Sequence, residues 1–149
     1  MKYRNSAAIL LLSASVLLSG CASVPMADVG KDAEAKQFSP PKEGANIYLY
    51  RSESMGMVAK MSVVLDDRLV GDTAAQTYLL LHVTPGKHTI VSKSENDSTL
   101  NVTVDRGKNY FVWQEVKMGM WAPRSQLHLM DDEEGKHGVS QCKLVFVTQ

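Results

Sequence analysis

The chain has 149 residues, 44% of them hydrophobic, with 16 Lys and Arg against 16 Asp and Glu and two Cys. That length suits one domain able to bury its own core without disulfide staples. Balanced charge with no run of Lys or Arg leaves no electrostatic footprint for nucleic acid, and no anionic-lipid patch.

Met1-Lys2-Tyr3-Arg4-Asn5 is a short basic stretch, and residues 7–18 are almost wholly Ala, Ile, Leu, Val and Ser. A charged n-region followed by an apolar h-region is the pattern of an export signal. The apolar run is too short for a permanent membrane span, which takes roughly 20 residues. Leu18-Ser19-Gly20-Cys21 resembles the lipobox of bacterial lipoproteins: an aliphatic residue, two small residues that let a peptidase approach the backbone, then Cys. The thiol is required because only it can take diacylglycerol as a thioether.

The lipobox resemblance implies removal of residues 1–20 as a lipoprotein signal peptide, with a covalent lipid on Cys21 and no other cofactor. Two or more acyl chains hold a protein stably, at about 0.8 kcal/mol per buried methylene. Ala22, rather than Asp, follows the lipidated position; this resembles the pattern sorted to the outer membrane, periplasmic face. The mature chain keeps 14 basic and 16 acidic residues, a net −2.

Residues 21–43 are rich in Ala, Asp, Lys, Glu and Ser, contain Pro25, Pro40 and Pro41, and lack an apolar period; they are expected to form a flexible, lipidated tether. Residues 44–149 are expected to form the domain. There the alternation is in period two, predicting strands over 46–51, 60–65, 68–71, 77–83, 87–93, 99–104, 109–117, 126–130 and 143–147. Asp66-Asp67 suits a tight hairpin, and Pro85-Gly86 a turn in which Pro presets one angle and Gly supplies positive φ. Residues 131–142 are the one helical candidate, capped by Asp131 or Asp132 with Glu133 and Glu134 at the positive end, although Gly135 and Gly138 each cost about 1 kcal/mol inside a helix. The expectation is an all-β fold, a single small antiparallel β-sandwich.

The order Ile47-Tyr48-Leu49-Tyr50-Arg51, Val64-Leu65-Asp66-Asp67-Arg68-Leu69-Val70-Gly71, Val83-Thr84-Pro85-Gly86-Lys87-His88 and Gly107-Lys108-Asn109-Tyr110-Phe111-Val112 resembles the bacterial lipoproteins grouped as domain of unknown function 2846. The two middle motifs are also similar to PEGA-like envelope β-sandwiches, with Asp67 where Gly is usual. The resemblance implies fold and location, and brings no catalytic residue.

Candidate chemistry is sparse. His137-Gly138 and Ser140-Gln141-Cys142 resemble an L,D-transpeptidase signature, in which imidazole activates a thiol against peptidoglycan, but Gln141 replaces Gly and no Arg follows. The alternative is a buried structural thiol. Ser39-Pro40-Pro41-Lys42 fits Ser-x-x-Lys, but the prolines deny it the helix that pattern needs. Asp131-Asp132-Glu133-Glu134 lacks calcium-loop spacing.

Met55, Met57, Met61, Met118 and Met120 offer soft thioethers suited to Cu(I), which His82, His88 or His128 would complete; against this, no His adjoins either Met pair. Tyr48, Tyr50, Trp113 and Trp121 are candidates for a binding surface, since one face of the 46–51 strand is expected to meet solvent. The favoured expectation is a non-enzymatic outer-membrane lipoprotein that binds or supports envelope proteins or peptidoglycan. A copper-binding protein and a peptidoglycan-modifying cysteine enzyme are its alternatives.

Overall fold

Strand-forming alternation dominates the computed structural model, which describes residues 23–54 and 59–147. In chain order the elements are α1 (Val29–Ala35), β1 (Ala45–Arg51), β2 (Met61–Leu65), β3 (Arg68–Thr73), β4 (Thr77–Val83), β5 (Gly86–Lys93), β6 (Asp97–Val104), β7 (Asn109–Lys117), β8 (Arg124–Met130), α2 (Asp132–Ser140) and β9 (Lys143–Leu144). They form two sheets, β8-β7-β1-β4-β9 and β3-β2-β5-β6. This is the all-β sandwich that the alternation implied.

The larger sheet is mixed rather than purely antiparallel. β1 runs parallel to β7, pairing Tyr48 with Phe111, and β4 runs parallel to β9. Asp66 and Asp67, both at positive φ (48° and 64°), turn β2 into β3 as a type I′ hairpin does. A register shift between Val63 and Val64 leaves Val70 as the extra residue of a bulge.

Between the sheets lies an apolar core that includes Ile47, Leu49, Val63, Leu79, Ile90 and Val112. Its polar members are satisfied in series: the Thr73 hydroxyl donates to Gln114 Oε1 (2.5 Å), Gln114 Nε2 donates to Ser92 Oγ (2.6 Å), and the Ser92 and Ser125 hydroxyls share a bond of 2.7 Å. Such a chain removes the penalty of burying these groups.

A second apolar layer covers the outer face of the larger sheet, where Tyr48, Tyr50, Tyr78 and Phe111 meet Ala35, Val139, Cys142 and Leu144. All seven residues of β1 are therefore buried, so the face of this strand expected to meet solvent is closed. The closure comes from two helices that pack through small residues. A Cβ on Gly135 would overlap Phe111 and one on Gly138 would overlap the Tyr50 ring. The glycines that weaken α2 as a helix are what let it approach the sheet. Its N-cap is Asp131, which accepts from the Glu134 amide at 2.9 Å.

Residues 23–43, read from composition as a tether, carry structure of their own. Val24 joins the core between the sheets, Met26 bridges Val145, and α1 lies under the aromatic layer with the Ala35 carbonyl accepting from Tyr48 Oη at 2.9 Å. Asp32 ties this segment to the sheet, accepting from Tyr78 Oη and the Leu144 amide (2.9 Å each) and pairing with Lys36 at 2.8 Å. No apolar period announces this because α1 spans only seven residues and buries one, Ala35. Among the described residues no helix is long and apolar enough to cross a membrane.

Candidate functional site

Strand directions gather several connections at one end of the sandwich. β1 and β7 finish there, and β4, β8 and β9 begin there. β3 passes to β4 through residues 74–76, and the β5–β6 turn (94–96) meets the β7–β8 connection (118–123). Ser23 and Val24 line a shallow cleft at this end with Ala74, Gln76, Gln141 and Lys143.

The β7–β8 connection is fixed by one carboxylate. Glu95 accepts from the amides of Met120 (3.1 Å), Trp121 (2.6 Å) and Ala122 (2.8 Å), while its own amide donates to the Pro123 carbonyl at 3.2 Å. The amides of Ala122, Trp121 and Met120 hold its pKa below the ordinary carboxylate value. A side chain at Gly119 would overlap the Ala122 carbonyl, so the tight turn needs glycine there. With the backbone thus occupied inward, Met118, Met120 and Trp121 point out and are 84%, 80% and 90% exposed. The sequence carries no sign of Glu95, because its partners lie 25 to 27 residues away.

At the opposite end, Asp66 and His88 join the two motifs of the hairpin and the Pro-Gly turn. His88 Nδ1 lies 2.6 Å from Asp66 Oδ2 and its Nε2 lies 2.7 Å from the Thr84 carbonyl, while the Thr89 amide donates to Asp66 Oδ1 at 2.9 Å. Burial disfavours the charged imidazole, but an acceptor on each ring nitrogen outweighs it and raises the His88 pKa. Asp66 is pushed up by burial yet ends lower, held by the Thr89 amide and His88. The device staples two turns together; it is a structural lock.

The remaining candidates separate. Tyr48 and Tyr50 are 1% and 4% exposed and belong to the aromatic layer, so they form no surface with Trp121. Half-buried Trp113 donates to Glu53 Oε1 at 2.8 Å and stacks on His128 at 5.2 Å. His128 in turn bonds Glu115 at 2.8 Å, and His82 bonds Asn46 at 2.6 Å. Met61 is buried in the core. Met55 and Met57, like Cys21, lie outside the described residues. Among the described residues no three His, Cys, Asp or Glu side chains cluster as a metal site would require.

Cys142 is buried, its Sγ donating to the Arg51 carbonyl at 3.4 Å, and burial pushes its thiol pKa up to about 12. His137 sits on the exposed side of α2, bonded to Gln141 at 2.9 Å. Imidazole and thiol therefore face different surroundings. Residues 39–42 are not helical, as the prolines require.

Comparison with known proteins adds kinship without a task. A family model described as protein of unknown function (DUF2846) matches residues 41–126. An uncharacterized protein of Haemophilus influenzae is 35% identical over 136 residues, covering 90% of this chain and 81% of its own length. No solved structure matches the chain.

Proposed function

The chain belongs to the family of proteins of unknown function DUF2846, and we propose that it works as a lipid-anchored, non-catalytic binding or structural module of the cell envelope, held on the periplasmic face of the outer membrane by acylated Cys21. The observation that carries this reading is the short distance between anchor and domain. Leu18-Ser19-Gly20-Cys21 ends three residues before Val24, which is already packed in the core. Three residues span at most about 10 Å, so the sandwich stands directly on its membrane.

Against the cysteine-enzyme alternative stands the buried, weakly acidic thiol of Cys142, since the thiolate is the form that attacks. Partners of this module are envelope proteins or peptidoglycan, and its mixed surface charge does not favour nucleic acid. The test is Cys21→Ser expressed in cells fed a clickable palmitate analogue. The wild type should take the label and fractionate with outer membrane, while the variant should stay unlabelled as uncleaved precursor. A labelled variant would overturn the anchor.

A further inference from the structure

We infer that the end of the sandwich bearing Met118, Met120 and Trp121 rests on the same bilayer that holds the anchor, with the Trp121 indole in the headgroup interface. The inference rests on acylation of Cys21, and it adds a second contact and an orientation. Ser23 lines the cleft beside residues 74–76 and Lys143, and lies two residues, at most about 7 Å, from Cys21. The described chain therefore begins at the end where the β7–β8 connection also projects.

In the larger sheet, β9 and β7 are separated by β4 and β1. Three inter-strand steps of about 4.8 Å place the Ser23 cleft and the tip roughly 14 Å apart laterally, within reach of one plane. Two contacts of this kind would hold the domain upright.

The chemistry of the tip suits that plane. Trp prefers the membrane interface because its ring is apolar while its N–H still finds a polar partner, and Met is a flexible apolar filler. In water these three side chains lack cover, yet Glu95 holds the backbone of Met120 and Trp121, so less ordering remains there to oppose insertion. Glu95 itself spends its acceptors on the three amides and presents less bare charge toward the lipid. The turns at the opposite end carry Asp67, Asp105, Arg106 and Lys108, with Leu69 exposed beside them and no exposed indole. Lys93, Asp97, Lys117 and Arg124 border the tip, and their charged heads suit the headgroup level rather than the hydrocarbon.

The test uses the lipidated protein purified from membranes and reconstituted into phosphatidylethanolamine–phosphatidylglycerol vesicles, with or without brominated acyl chains. Wild type is compared with Trp121→Ala, whose thermal midpoint checks that the fold survives loss of an exposed side chain. The expected result is a blue-shifted emission component that brominated lipid quenches, iodide does not reach, and Trp121→Ala abolishes. Emission from Trp121 that iodide quenches and brominated lipid leaves untouched would overturn the inference. So would a Trp121 that stays aqueous in vesicles and is shielded only in native envelopes, which would mark a protein partner. Mass spectrometry of the same samples separates the two readings: a chain without acyl mass overturns the anchor and this orientation with it, whereas an acylated chain with an aqueous Trp121 overturns the orientation alone.

Discussion

Cys142 sits among Tyr50, Val139 and Leu144 with its proton directed at the Arg51 carbonyl, and its pKa of about 12 leaves almost no thiolate at neutral pH. Its surroundings, rather than its residue type, make it a packed, buried thiol. We expect the mature native protein to resist alkylation by iodoacetamide at pH 7 and to react readily once unfolded, read by mass spectrometry. Cys142→Ser should lower stability by about 1 to 2 kcal/mol, the size of an ordinary core change. Fast labelling of the native thiol would restore the enzyme reading, because it requires an exposed thiolate.

Two glycines show the same residue type working in opposite directions in two helices. Gly138 lies where α2 presses on Tyr50, so Gly138→Ala gains helix propensity but drives a methyl into a buried ring. Overpacking of that kind costs about 1 to 3 kcal/mol, and the net effect should be destabilising. A methyl added at Gly30 in α1 would meet nothing within 4 Å. Gly30→Ala should be neutral or stabilising by up to about 1 kcal/mol. Urea unfolding of both variants checks the pair, and equal effects would mean that α2 does not dock through its glycines.

Over the whole molecule, Asp32 is the point where the amino-terminal segment, the sheet and the carboxy-terminal segment meet. Burial raises its pKa, but Lys36, Tyr78 and the Leu144 amide outweigh that and leave it below the ordinary value of 3.8. A carboxylate depressed on folding contributes stability above its unfolded pKa and loses it as pH falls through the folded one. Asp32→Ala should therefore cost about 1 to 3 kcal/mol at neutral pH, and the gap from wild type should close as pH is lowered below about 4. Hydrogen exchange should rise first in residues 23–43 and 143–147, with the sandwich core still protected. A variant that loosens uniformly would show that the flanking segments are not latched through this residue.

The strands and their turns were readable from local pattern, because alternation, Asp66-Asp67 and Pro85-Gly86 act over a few residues and each restricts the backbone there. The hairpin needs positive φ at both aspartates, and those angles are observed. What residues 46–51 do with their two faces was not readable, since Tyr48 and Tyr50 look alike on a solvated face and under a helix. Their burial was decided by α1 and by Gly135 and Gly138, whose cost is local and whose benefit is a contact with rings far away in sequence. The tip at Trp121 depends likewise on Glu95, which reaches it across 26 residues. Local chemistry is encoded in neighbours along the chain, whereas which surface stays open is set by whatever distant segment comes to lie on it.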